Sequence, residues 1–405
     1  MAITVEEALT LIYTHVVPKS SEILPIETLL GRVLAQDVTA NYSLPPYDNS
    51  AMDGYAVFAS DAGKSIPQSC TIFAGDAPEI RMVEDQCIRI MTGAKIPNGC
   101  EAIVPIEEVE VNNGVVTLPS HIRPSQHIRL KGEDIQEGML LLNKGVQLHA
   151  HHITLLASQG ITHAKVFRKP KVALFASGNE LKMHFETIQS HQLYNTNTPT
   201  LAARCTELGC DVLFTGTTHD TLESIQAHIQ NTLDADFIIT SGGVSVGDAD
   251  FTKEAFDNLG METFFKSVEI KPGKPTTFGR IGSTIVLNLP GNPLAAALCF
   301  ELFGQSIIMA QSGRCDKYLS TITTKIKNPF TMKKGRRSLI PGWFNGEAFE
   351  PCAVFGPGMI LPLSIANAFM MVDEKVDGFN KGSEVKIIPT RWSIGNEIQK
   401  SLVTF

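Results

Sequence analysis

The sequence predicts a multidomain chain of α/β plus β class. It contains an open, mostly parallel α/β sheet domain, a small mostly-β domain before it and a C-terminal β domain after it. Three observations carry this. Between residues 168 and 318, apolar strands alternate with segments of helical periodicity, the pattern of βαβ units whose strands are covered on both faces. Residues 44–136 and 319–405 lack that periodicity and break into short β-type runs punctuated by Gly and Pro. The length, 405 residues, suits two to four domains of about 100–200 residues each.

The elements follow in chain order. Val5, Ala8, Leu9, Ile12 and Val16 recur at helical spacing behind Glu6 and Glu7, with no basic leader, so the first segment reads as an amphipathic helix rather than a signal peptide. Runs at 88–91, 102–105, 109–111 and 115–118 read as strands, the last two joined by Asn112-Asn113-Gly114, a hairpin signal. A strand at 171–176 ends in Ser177-Gly178-Asn179. Thr198 and Pro199 open a helix that stops at Gly209. After a strand at 212–214, Asp220-Thr221-Leu222-Glu223 reads as a capping box, with Asp220 as the N-cap of a helix running to about Leu233. The strand at 237–240 leads into the turn 241–247. The strand at 284–289 leads into Pro290-Gly291-Asn292-Pro293 and one apolar helix from 294 to 309.

Composition narrows the function. Lys and Arg number 34 against 42 acids, a net charge of −8 that excludes a generally basic nucleic-acid binder. The longest apolar run, 294–300, is far short of the roughly 20 residues that span a bilayer. Eight cysteines show no C-x-x-C or zinc-finger spacing, which suits reduced thiols in the cytoplasm. The expectation is a cytoplasmic protein with neither nucleic-acid nor membrane partners.

In open α/β sheets ligands bind beyond the carboxyl ends of the strands. Three strands here end in small-residue turns: Ser177-Gly178, Ser241-Gly242-Gly243 through Ser245 to Gly247, and Pro290-Gly291-Asn292-Pro293. Glycines admit a ligand close to the backbone, and successive N–H groups favour an oxyanion such as phosphate. Lys271-Pro272-Gly273-Lys274-Pro275 adds two cations on a Pro-braced loop, unless that loop is simply a solvated turn. Glu180, Asp220, Asp248 and Asp250 cluster near these turns, hard oxygen donors of the kind Mg²⁺ takes beside phosphates. Asp220 and Asp250 also have a plain reading as helix caps; Glu180 does not. His149, His151 and His152 lack acidic or Cys neighbours. Walker, G-x-G-x-x-G and G-x-S-x-G motifs are absent, which disfavours P-loop, dinucleotide and serine-hydrolase chemistry.

PYDNSAMDGYAV (46–57), RIMTGAKIPNGCEAIVP (89–105), KGEDI (131–135), ASGNEL (176–181), SGGVSVGDADF (241–251), IKPGKPTTFG (270–279) and LPGNPLAA (289–296) stand in this order. Together they make the chain resemble, over essentially its whole length, the molybdopterin molybdotransferases of the MoeA and gephyrin E-domain family. The resemblance implies an elongated homodimer with four domains per chain. These are residues 1–20 with 168–318 (molybdopterin-binding), 21–43 with 137–167 (linker and dimerisation), 44–136, and 319–405. It implies insertion of molybdenum from molybdate into adenylated molybdopterin with Mg²⁺ and release of AMP, and transient contacts with a pterin adenylyltransferase and acceptor molybdoenzymes. The other readings are a pterin adenylyltransferase and a non-catalytic molybdopterin-binding scaffold.

By the same resemblance Asp53, Glu180 and Asp250 would hold or orient Mg²⁺, and Lys271 and Lys274 would neutralise the polyanion. Thr92, Asp134, Asp220 and the three turns would line the substrate cleft. Arg336 and Ser364 would join the lysines around molybdate. The chain departs from the family pattern at His219, beside Asp220, and at Pro341.

Overall fold

The computed structural model describes residues 2–76, 79–242 and 251–391. The chain folds as two units: Gln36–Lys144 with Ala150–Thr162, and Met1–Ala35 with Gly145–His149 and His163–Phe405.

The smaller unit is built on a six-stranded sheet ordered Ala102–Pro105, Gly54–Val57, Cys87–Ile90, Ser65–Ile72, Val115–Thr117, Glu110–Asn112. Period-2 alternation gives this sheet two apolar faces. Tyr55, Val57, Ala102 and Val104 pack on one side, and Ala56, Ile88, Ile90 and Ile103 on the other. The Asn113-Gly114 turn closes the hairpin with both residues at positive φ, as a two-residue type I′ connection needs. Gly54 opens the central strand against Val104, whose carbonyl oxygen would lie 2.2 Å from any Cβ there. Only glycine fits behind Asp53.

In the larger unit the α/β sheet is mixed. The strands Asp211–Thr218, Lys171–Ser177, Phe237–Ser241 and Thr284–Leu289 lie side by side and parallel. Thr277–Ile281 and Glu262–Phe265 then continue the sheet antiparallel. Sequence periodicity did not reveal this hairpin edge, because Gly279 and the exposed Glu262 dilute the apolar pattern. The helices Asn197–Glu207 and Leu222–Gln230 and the N-terminal helix Val5–His15 cover the sheet. The N-terminal helix carries a complete capping box, Thr4 with Glu7, and buries Val5, Ala8 and Ile12.

Two predicted helices come out differently. The apolar run expected as one α-helix winds as α over Pro293–Cys299, π over Phe300–Gly304 and α again over Gln305–Gln311. This 19-residue stretch is long and apolar enough to cross a membrane, yet 83% of it is buried inside the protein. The helix at Leu222–Gln230 is capped not by Asp220 but by Thr221, whose hydroxyl accepts from the Ser224 N–H. Thr221 has extended φ and ψ, the backbone an N-cap requires. The Asp220 carboxylate is thereby left out of the cap.

The C-terminal segment forms a sheet that closes on itself. Arg337–Phe344, Ala348–Pro351, Ile322–Ile326, Glu384–Pro389 and Ala368–Val372 pair in turn, and the last pairs back with the first. Closure leaves few free edges. Ile340, Phe349, Met370 and Ile387 fill the centre. The short strand Ile270–Lys271 adds to this sheet beside Arg337 and Ser338, so the lysine loop is fixed to the C-terminal domain.

Candidate functional site

Parallel strands that share a direction deliver their following turns to one edge. The turns after Lys171–Ser177, Phe237–Ser241 and Thr284–Leu289, three adjacent strands, therefore meet. A Cβ on Gly291 would lie 3.4 Å from the Gly242 Cα, so the second and third turns touch. Gly242 itself sits at φ +96°, where a Cβ would lie 2.9 Å from the Ser177 carbonyl oxygen and so tie the first turn to the second. An L-side chain is strained at that φ and has no space there.

Side-chain hydrogen bonds fasten the cluster. Asn197 donates through Nδ2 to the Ser241 hydroxyl and to the Gly291 carbonyl oxygen, both at 2.7 Å. Ser241 Oγ donates to the Pro290 carbonyl oxygen at 3.0 Å. Ser177 Oγ and Thr252 Oγ1 are 3.1 Å apart. Asn197 and Thr252 had no signal in the sequence beyond their places at helix starts. Asn292 and Pro293 follow on the same turn, where Leu294 donates its N–H to the Pro357 carbonyl oxygen.

Two carboxylates border the edge. Glu180 is exposed and folds its carboxylate over Gly178, so that a Cβ there would meet Oε2 at 2.8 Å. Asp220 is held through its N–H by Asn179 Oδ1 at 3.2 Å, and its own Oδ1 is buried with no hydrogen-bond partner among the described residues. Burial first, and then the negative charge of Glu180, raise the Asp220 carboxyl above its ordinary value. Among the described residues no three His, Cys, Asp or Glu side chains gather as a metal-binding group. Gly243, Ser245, Gly247 and Asp250 lie outside the described residues.

Lys271 and Lys274 are exposed, and among the described residues neither forms an ion pair. Their loop is braced from within: Thr276 Oγ1 donates to the Gly273 carbonyl oxygen at 2.7 Å, and Gly273 packs on buried Cys299. Lys271 lines a cavity of about 360 Å³ with Phe330, Met332 and Phe355. Arg336 is exposed and immediately precedes the strand that pairs with Ile270 and Lys271. Ser364 is not in the lining of that cavity. It donates to the Leu361 carbonyl oxygen at 2.8 Å and lines a separate, mostly apolar cavity of about 910 Å³ with Trp343 and Ile360. The two cavities share Ala353 and Val354.

In the smaller unit, Asp53 Oδ1 accepts from the Thr92 N–H at 2.7 Å and from the Thr92 hydroxyl at 2.8 Å. These two bonds, and then the charge of Arg89, hold its carboxyl below the usual range. Asp134 is exposed and donates its N–H to the Leu44 carbonyl oxygen; its carboxylate bonds to neither Asp53 nor Thr92.

Three family models match the chain: the MoeA N-terminal region (domain I and II) over residues 3–160, the probable molybdopterin binding domain over 173–310, and the MoeA C-terminal region (domain IV) over 323–390. The chain is 38% identical over 393 residues to the molybdopterin molybdenumtransferase of Haemophilus influenzae, covering 93% of this chain and 96% of that one. It is 31% identical over 413 residues to the enzyme of that name from Bacillus subtilis, covering 98% and 96%. Among solved structures, the molybdopterin biosynthesis moea protein from Pyrococcus horikosii superposes with a TM-score of 0.83 at 30% identity, over 96% of this chain and all of that one. With three models in succession, and relatives of this identity over nearly its full length, the chain belongs to the MoeA family.

Proposed function

We propose that the chain is a molybdopterin molybdenumtransferase of molybdenum cofactor biosynthesis, which transfers molybdenum from molybdate into adenylated molybdopterin and releases AMP. The observation that carries this reading is the meeting of three glycine turns at one strand edge, with Lys271 and Lys274, which form no ion pair among the described residues, on a braced loop of the same unit. Backbone N–H groups at such turns receive phosphate oxygens, and the lysines supply the charge that a pyrophosphate linkage and a molybdate dianion both need.

Asp220 and Glu180 suit a Mg²⁺ ion. One buried Asp220 oxygen has no hydrogen-bond partner among the described residues, and burial and the nearby Glu180 charge raise the cost of ionising Asp220 until a cation offsets it. Two carboxylates, with waters and substrate phosphates, make up a usual Mg²⁺ shell. Asp220 and Glu180 would hold the ion, which would supply polarisation of the phosphoanhydride and stabilisation of the leaving phosphate. Asp250, next in the family pattern, belongs to the same proposal. Asp53, kept ionised by Thr92, is a carboxylate ready to orient water or the metal. A homodimer completes the proposal.

The test is AMP release from adenylated molybdopterin by the purified protein with Mg²⁺, with and without molybdate. Release that depends on molybdate, with a product that reconstitutes an apo-molybdoenzyme, is expected. Tight pterin binding without release would make the chain a scaffold. Formation rather than consumption of the adenylated pterin would make it an adenylyltransferase.

A further inference from the structure

The opposite edge of the α/β sheet carries a second charged cavity. It has a volume of about 780 Å³ and is lined by Arg32, Arg168, Lys169, Arg204, Arg314 and Arg391 against two carboxylates, Glu207 and Asp316. Arg168 and Lys169 immediately precede the Lys171–Ser177 strand, and Leu208 and Gly209 precede the Asp211–Thr218 strand. The cavity thus lies at the amino ends of the parallel strands, whereas the glycine turns lie at their carboxyl ends.

Four of the arginines are held in place. Arg32 pairs with Glu22, Arg168 with Asp236, and Arg314 with Asp316. Arg204 pairs with both oxygens of Glu301 and with Glu207. Glu301 reaches Arg204 from the π-helical stretch Phe300–Gly304, a local winding often found at functional sites. Lys19 shares Asp236. With the ion-paired neighbours and Asp211, whose charge reaches Arg168, seven cations stand against six carboxylates, and among the described residues Lys169 and Arg391 have no acidic ion-pair partner. An excess of fixed positive charge in a concavity of a protein with net charge −8 favours an anion there.

Two further features bear on the rest of the ligand. Gln305 lines the cavity with a buried Oε1 that accepts no hydrogen bond among the described residues. Such an acceptor suits a hydroxyl or amino donor. Ile308, Met309 and the exposed ring of Tyr318 supply apolar wall. We propose that this cavity binds a phosphate-bearing small molecule, its anionic groups on Lys169, Arg391 and the braced arginines and a donor group on Gln305. This inference does not depend on the transferase reading.

The test titrates full-length protein with inorganic pyrophosphate in Mg²⁺-free buffer by calorimetry. Two variants accompany the unaltered chain: Lys169→Gln with Arg391→Gln, and Lys271→Gln with Lys274→Gln. All four residues lie outside the apolar core, so both variants are expected to fold, which circular dichroism checks. The proposal requires a saturable component that survives in the second variant and weakens about tenfold or more in the first, as loss of two facing charges implies. Absence of saturable binding by the unaltered chain overturns it. So does a binding component that the first variant leaves intact, or one that only the second removes.

Discussion

Asn197 ties the second glycine turn to the third with two hydrogen bonds, beside the one that Ser241 donates to Pro290. Asn197→Ala removes two 2.7 Å hydrogen bonds, one to buried Ser241 and one to the exposed Gly291 carbonyl. A neutral hydrogen bond contributes about 1 kcal/mol net, and water replaces the exposed one in part, so the loss should be about 1–2 kcal/mol. At roughly 2–4 °C per kcal/mol for a unit of this size, the melting temperature should fall by roughly 2–8 °C. Because the Ser241–Pro290 bond would then be left to hold these turns without Asn197, their spacing should loosen, and kcat/KM for molybdate-dependent AMP release should fall by about tenfold to a hundredfold. Asn197→Asp should be worse than alanine in both respects. It sets a carboxylate against a carbonyl oxygen and adds negative charge where phosphate is to bind. An Asn197→Ala protein with unaltered melting and kcat/KM, or an aspartate variant no worse than alanine, would refute the reasoning.

Arg204→Leu strands the buried Glu301 and should destabilise by about 3–5 kcal/mol in thermal or urea unfolding, whereas Arg204→Leu with Glu301→Leu should recover most of that. Thr92→Val removes the hydroxyl bond to Asp53 but keeps the backbone one, so the carboxyl rises toward its ordinary value. Asp53 would then be protonated at a higher pH, and the acid limb of the AMP-release profile should move upward. A superimposable profile would remove Asp53 as the required carboxylate. For Asp220 the folded value lies above the unfolded one. The folded state then binds more protons between the two values, and stability falls as pH rises through that window and stays lower above it. Asp220→Asn should therefore melt higher than the unaltered chain at pH 7, and Mg²⁺ should raise the melting temperature of the unaltered chain but not of Asp220→Asn.

Most of the local architecture was legible because it follows from periodicity and turn chemistry. The Asn113-Gly114 hairpin, the strand at 102–105 and the helix behind Pro199 each rest on residues close together in sequence, whose backbone preferences act without tertiary help. Where nearby groups compete, sequence reasoning chose wrongly. Asp220 and Thr221 are both good N-caps, and only the strand arriving from Asp211–Thr218 decides which of them takes the extended backbone. The 294–309 run is apolar throughout, so its pattern could not show the π-helical turn that brings Glu301 to Arg204. No local pattern marks Ser364, and packing of the Leu361–Ile365 helix puts it in a different cavity from Lys271.

The sequence by itself determined the family, the order of the elements and the types of residue that the chemistry needs, because each is written in short motifs whose meaning is local. Only the tertiary structure decided which of those residues meet. Parallel pairing of three strands far apart in the chain brings Gly178, Gly242 and Gly291 to one edge, and an asparagine from an intervening helix fastens the last two turns together. The same pairing collects Arg168, Lys169 and Arg204 at the other edge, where no motif marks them. Contacts between distant segments depend on sheet register and helix packing, which are properties of the folded whole.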